Sequence, residues 1–271
     1  MPSASGPRRP PAPCERALDL LERARKAARR LDSSDPEAVH DFRTAARRLR
    51  TELWLNRGLL KRRPGARARR RLGKLVRATG RARDAEAGRE LLAKENGPGE
   101  RSLRRVLAGE ARLPRTAAKR LRRKFRQAVG ELKRCLRKEP VDLDRTDALR
   151  RLRRTRRKLP EILRRALETR RQELLHEARK QARKLRYAEE SLFPRRSRDL
   201  KRVQDALGRE RDLYVLAARA RQEGLAGLEK RLRAQRDIVL ESIRGAGPSG
   251  TIVRRILGRK ARTTRGGRPL E

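Results

Sequence analysis

Two stretches of this chain repeat one another in residue type and spacing, 136 residues apart. The first runs His40-Asp41-Phe42-Arg43-Thr44-Ala45-Ala46-Arg47-Arg48-Leu49-Arg50. The second runs His176-Glu177-Ala178-Arg179-Lys180-Gln181-Ala182-Arg183-Lys184-Leu185-Arg186, and together they hold both histidines of the 271 residues. A second pair follows in the same order: Gly80-Arg81-Ala82-Arg83-Asp84 and Gly208-Arg209-Glu210-Arg211-Asp212, 128 residues apart. Self-similarity at a near-constant offset marks a duplicated structural unit. The eight-residue shortfall predicts a shorter connection in the second copy, since loops absorb length changes most easily.

The spacing inside each copy is that of a helix with two distinct faces. At about 100° per residue, Arg43, Arg47 and Arg50 fall on one side with His40, in an arc of roughly 80°. Ala46, Phe42, Leu49 and Leu53 form a separate apolar stripe. In the second copy Arg179, Arg183 and Arg186 share the side of His176, Lys180 and Lys184 widen it, and Ala178, Ala182 and Leu185 face the core. Like charges at i, i+3 and i+4 repel by a few tenths of a kcal/mol per pair, roughly. A recurring acid-free series is therefore read as a ligand face, in preference to a solvated one.

Almost all of the chain reads as helix, and no segment shows strand alternation, so the fold class is all-α. Residues 1–12 form a Pro/Ser-rich tail expected to be disordered. A first helix carries Leu18, Leu21, Arg25, Ala28 and Leu31 at helical spacing. Asp35 as N-cap with Pro36 behind it starts the second, which runs to about 56–58. Pro64-Gly65 marks a turn before a third helix over roughly 66–94. The stretch 100–138 is helical with a kink at Pro114. Glu139-Pro140 divides the halves, 13–139 and 140–245. In the second half helices are expected over about 143–170, interrupted at Pro160, then to Leu192, over 197–222, and from Gly224 to about Ile243. Residues 246–271 are a basic flexible tail.

The balance of 79 basic residues against 34 acids, a formal net charge of +45, implies a polyanionic partner. Only 14 of the 79 are lysine, and guanidinium forks grip phosphate oxygens in pairs. Six aromatic residues are too few for a base-stacking platform. Cys14 and Cys135 form no Cys-x-x-Cys motif and read as free thiols in a reducing compartment. With no apolar run near the ~20 residues of a membrane span and no signal-peptide core, the expectation is a cytoplasmic protein without a membrane partner.

Each histidine admits several roles: metal ligand, phosphoryl acceptor, hydrogen-bond donor to phosphate, or a structural residue. Donation to phosphate suits the neighbouring arginines best. Metal ligation needs three or four clustered ligands, and the chain supplies too few. The Gly-x-x-Arg-Asp pairs are read as supporting: Arg83, Asp84, Arg211 and Asp212 orient basic side chains, and the glycines permit close helix packing.

The segments Val39 to Arg50 and Leu175 to Tyr187 resemble the paired signatures of the CHAD domain, the conserved-histidine α-helical domain of bacteria and archaea. Gln204-Asp205-Ala206-Leu207-Gly208 with Arg211-Asp212 is similar to that family's second half. The resemblance covers about 13–245. It implies two pseudo-symmetric four-helix bundles whose histidine helices line a central basic surface. It also implies binding of inorganic polyphosphate and residence at polyphosphate granules. Carried to this chain, that role falls on His40, Arg43, Arg47, Arg48 and Arg50, and on His176, Arg179, Lys180, Arg183, Lys184 and Arg186. The resulting expectation is a non-enzymatic polyphosphate-binding module, monomer or homodimer, with no cofactor and no metal, and with weak nonspecific nucleic-acid binding at most. The competing expectation is a histone-like, sequence-nonspecific DNA or RNA binder, which net charge alone supports equally well. Catalysis would need carboxylates to hold a divalent metal at the phosphates, and the acids are scattered among arginines.

Overall fold

Every helix of this molecule owes its place to a narrow stripe of Leu and Ala on an otherwise cationic surface. The computed structural model describes residues 12–31, 35, 37–60, 62–93, 97–138, 145–193 and 197–244. The first and last tails, residues 1–11 and 245–271, lie outside the described residues, as do Pro36 and Glu139-Pro140. Among the described residues there are ten α-helices and no strand.

The first half contributes α1 (Pro13–Arg29), α2 (Glu37–Leu55), α3 (Arg62–Ala78), α4 (Gly80–Leu92), α5 (Pro98–Ala111) and α6 (Arg115–Lys138), with a single 3-10 turn at Arg57–Leu59. The second half contributes α7 (Arg145–Thr169), α8 (Gln172–Leu192), α9 (Arg198–Gln222) and α10 (Ala226–Arg244). The start of α2 matches its cap signal: Asp35 Oδ1 accepts the Glu37 amide at 2.9 Å. Ser197 caps α9 in the same manner, accepting the Leu200 amide at 3.2 Å.

The prolines depart from expectation in both directions. Pro64 does not mark a turn; it sits with Gly65 in the first turn of α3, where amide donors lack intrahelical partners anyway. Pro160 does not interrupt α7. Leu159 and Leu163 on either side of it are fully buried, and that packing holds the helix through one missing hydrogen bond. Pro114 does more than kink: it separates α5 from α6, and its carbonyl accepts the Ala118 amide at 2.9 Å.

The third predicted helix is two helices, broken at Thr79. This fully buried threonine donates its hydroxyl to the Val76 carbonyl at 3.0 Å, satisfying an acceptor at the end of α3. Its counterpart, α9, passes unbroken through Gly208.

Among the described residues the core forms three clusters. One joins α1, α2, α3 and α6, with Phe42 and Phe125 edge to face at 5.2 Å between centroids. Another joins α7, α8, the first turns of α9 and the end of α10, and takes in Leu55 from α2. The third was not anticipated. It packs Ala85, Leu92, Leu103 and Leu107 of the α4–α5 hairpin against Leu213, Leu216, Ala220, Leu228 and Leu232 of α9 and α10. Gly88 makes this approach close: a Cβ there would stand 3.0 Å from methyls of both Leu107 and Leu216.

The acids are spent where cationic helices must meet. Glu52, only 3% exposed, takes Arg16 at 3.1 Å and the Ser191 hydroxyl of α8. Glu110 takes Arg219, Glu100 takes Arg231, and Glu190 takes Arg48 at 2.8 Å, each pair joining the two halves. Within the second half, buried Glu210 accepts Arg236 at 2.7 Å. Truncating such a buried acid would strand a charge, which makes these contacts costly to break.

Candidate functional site

Where α2 and α8 come together with α4 and α9, a cavity of about 220 Å³ opens. It is lined by His40, Arg43, Thr44 and Arg47 from α2, and by Arg179, Arg183, Arg186 and Tyr187 from α8. Arg83, Asp84 and Ala87 of α4 and Gln204 and Asp212 of α9 complete it. The two copies of the motif thus converge on one space, each offering the face opposite its apolar stripe.

The arginines of the cavity differ in what holds them. Arg43, 8% exposed, donates from one terminal nitrogen to the Val76 carbonyl at 2.7 Å and to Thr79 Oγ1 at 3.0 Å. It therefore caps the broken end of α3, where the helix dipole favours a cation. Arg186 lies 3.6 Å from Glu190 and stacks 4.9 Å from the Tyr187 ring centroid. Among the described residues, no carboxylate stands within ion-pair distance of the Arg47, Arg179 or Arg183 guanidinium.

Burial and mutual repulsion set the electrostatics. Burial, reinforced by Arg47, pushes Arg43 down to about 9. Burial again comes first for Arg183, followed by Arg47 and Arg179, and holds it well below its ordinary value. Arg47 is lowered by burial and by Arg179. A guanidinium surrenders its proton with great reluctance, so these arginines stay charged, and an anion among them relieves their mutual repulsion. Burial raises the Asp212 carboxyl against the pull of Arg179 and Arg83. Asp84 lies 3.9 Å from Arg211, and Arg83 is tied to Glu86 at 2.8 Å and Glu90 at 3.1 Å.

The histidines are not equivalent. His40 is exposed and lines the cavity; His176 is exposed and does not. Burial of part of the His176 ring, then Lys180 and Arg211, lowers its pKa and favours the neutral imidazole. Several other predicted residues also stand outside the cavity. Arg48 pairs with Glu190 and lies 4.8 Å from the Tyr187 ring, and Lys180 pairs with Glu177 at 2.6 Å. Lys184 sits on the face of Trp54, 3.5 Å from the ring centroid. Arg50 packs over Gly73 of α3. Arg211, outside as well, stacks 5.7 Å from the Tyr214 ring centroid.

The repeated glycines do not serve close helix packing. A Cβ on Gly80 would meet an Arg43 nitrogen at 4.0 Å, and one on Gly208 an Arg179 nitrogen at 3.9 Å. They flank the arginines of the two histidine helices, copy for copy. Sequence reasoning assigned no role to Tyr187, Thr44 or Gln204. Tyr187 could have been flagged as one of six aromatic residues, immediately behind the second motif. Gln204 opens the segment similar to the family's second half, and its Oε1 is buried without a hydrogen-bond partner. Among the described residues, no three His, Cys, Asp or Glu side chains gather as metal ligands. No helix among them is long and apolar enough to cross a membrane.

An all-helical scaffold that gathers arginines from two copies of one helix around a single cavity defines a narrow class of protein. The chain belongs to the CHAD domain family, whose model matches residues 14–221. It is similar in structure to the CHAD domain from the plant Ricinus communis, with TM-score 0.62, 21% identity and 95% of each chain covered. It is also similar to PptA from Streptomyces chartreusis, with TM-score 0.59 and 19% identity over 92% of this chain and 100% of that one. At these identities the likeness shows the shared fold. Comparison with curated proteins by sequence finds no significant match.

Proposed function

We propose that this protein binds inorganic polyphosphate in the α2–α8 cavity and performs no chemistry on it, acting at polyphosphate granules in the cytoplasm. One observation carries the reading: Arg47, Arg179 and Arg183 stand together, half-buried and without an ion-pair partner among the described residues, although Asp84 and Asp212 share the cavity lining. A phosphate chain supplies closely spaced oxyanions to guanidinium forks as charge-assisted hydrogen bonds. Release of its condensed counter-ions adds a salt-dependent gain, as with nucleic-acid phosphates. Membership in the CHAD family, the ground on which the resemblance implied polyphosphate, supports the same ligand. His40 is placed to add a hydrogen bond at the cavity wall.

The test is competitive. Labelled long-chain polyphosphate should stay bound when duplex DNA is added at equal phosphate concentration and moderate salt. It should be released from a variant carrying Arg47→Glu and Arg183→Glu. Displacement by DNA would transfer the function to nucleic acid. Undiminished affinity in the variant would mean that diffuse charge, not the cavity, holds the ligand.

A further inference from the structure

Five side chains near the α2–α8 contact are not used by the cavity: Arg50, Trp54 and Arg57 from α2 and the turn after it, Arg69 from α3, and Lys184 from α8. On α2, Arg50 and Trp54 continue the His40–Arg47 side of the wheel for two more turns. Lys184 lies over the Trp54 ring, 3.5 Å from its centroid, so the indole face holds the ammonium in place. Arg69 is oriented by the Leu53 carbonyl at 3.2 Å. Arg50 is braced against Gly73, its Nε buried without a hydrogen-bond partner. These cations feel one another: Lys184 is acted on by Arg57, Arg69 and Arg50, and Arg69 by Arg57, Arg70 and Arg50. Glu177 also reaches Lys184, but it is already paired with Lys180. Among the described residues, no carboxylate forms an ion pair with Arg50, Arg57, Arg69 or Lys184. The group is contiguous with the cavity, because Arg50 lies one turn along α2 from Arg47 on the same side of the helix.

We propose that Arg57 and Arg69 join Arg50 and Lys184, which the resemblance already gives to polyphosphate, in a second oxyanion subsite beside Trp54 that takes a further stretch of the chain held in the cavity. The inference rests on the polyphosphate reading above. It adds a direction to it: the ligand leaves the cavity along α2, toward the 3-10 turn, and Lys184 lifts from the indole to meet it. The subsite favours ligands long enough to cover both places. Arg47 and Trp54 are seven residues apart, about 10 Å along the helix, which pyrophosphate does not span.

Trp54 is the only tryptophan in the chain, so it reports on this place alone. Binding of long-chain polyphosphate, followed by calorimetry, should be accompanied by a shift in Trp54 emission. A variant carrying Arg57→Gln, Arg69→Gln and Lys184→Met keeps the apolar stems. It should lose about tenfold or more in affinity for the long chain and less than about twofold for pyrophosphate. Calorimetric binding with Trp54 emission unmoved overturns the subsite and leaves the cavity reading intact, and this arm needs no variant. Unchanged long-chain affinity in the folded variant does the same. Absence of calorimetric binding by the natural chain removes the polyphosphate reading and the subsite together.

Discussion

Arg43 and Arg47 lie one turn apart on α2, look alike in sequence, and do opposite work. Arg43 spends one terminal nitrogen on the end of α3, so Arg43→Gln should leave the Val76 carbonyl short of a charged donor. The expected loss is about 1–3 kcal/mol in urea unfolding. Arg47→Gln removes a half-buried charge with no ion-pair partner among the described residues. It should raise the melting temperature of the ligand-free protein while weakening polyphosphate binding by about tenfold. A variant that loses both stability and affinity would show Arg47 to be structural. Lys184 supplies a pH signature. Burial first, then Arg57, Arg69 and Arg50, lower it from 10.5 to about 8, with Glu177 pulling the other way. Between those values the unfolded chain binds more protons than the folded one, so this contribution to stability rises with pH from about 8 to 10.5. Below pH 8 the full penalty of the charged amine remains. Stability measured against Lys184→Met as reference should show that rise; a flat difference would mean the ammonium is not strained on its indole.

At the scale of the element, glycines separate two kinds of helix contact. Gly208 sits mid-helix in α9 with ordinary room for a Cβ, so Gly208→Ala should gain about 0.5–1 kcal/mol from helix propensity and leave binding unchanged. Gly208→Leu should displace the Arg179 guanidinium and cut affinity. Gly88→Ala should destabilise, because both leucine methyls must give way; unchanged thermal unfolding of that variant would contradict the packing described. The sequence wheel for α2 anticipated Phe42, Ala46, Leu49 and Leu53 as its core face, and all four are buried. It anticipated the shared side of His40, Arg43 and Arg47 equally well. Those are properties of one helix. Arg50 and Lys184 were read in the same way, and Arg48 from the resemblance, yet what decides their surroundings is a partner on another helix: Gly73, Trp54 and Glu190. No local pattern encodes that partner. Thr79 illustrates the same limit, since nothing in its neighbours announces that Arg43, 36 residues earlier, will stabilise a break there.

For the whole molecule, charge places folding and binding in opposition with respect to salt. At +45, added sodium chloride should raise the melting temperature of the ligand-free protein by screening self-repulsion. The same salt should lower affinity for polyphosphate steeply. Long-chain polyphosphate, binding only the folded state, should raise the melting temperature far more than equal phosphate added as orthophosphate. Equal shifts from the two would speak against a multi-phosphate site.

The third core cluster has a consequence of its own. The α4–α5 hairpin packs buried leucines against α9 and α10, and Leu55 of α2 is buried in the cluster built from α7–α10. Either half made alone would wear a bare apolar face on a body of like charges, the condition in which a chain clumps instead of folding. Two fragments, 13–138 and 145–244, mixed from denaturant should reconstitute the molecule, whereas each by itself should not. The duplication thus describes an interlocked couple: a single unit of this design could have stood folded only by clasping another copy of itself.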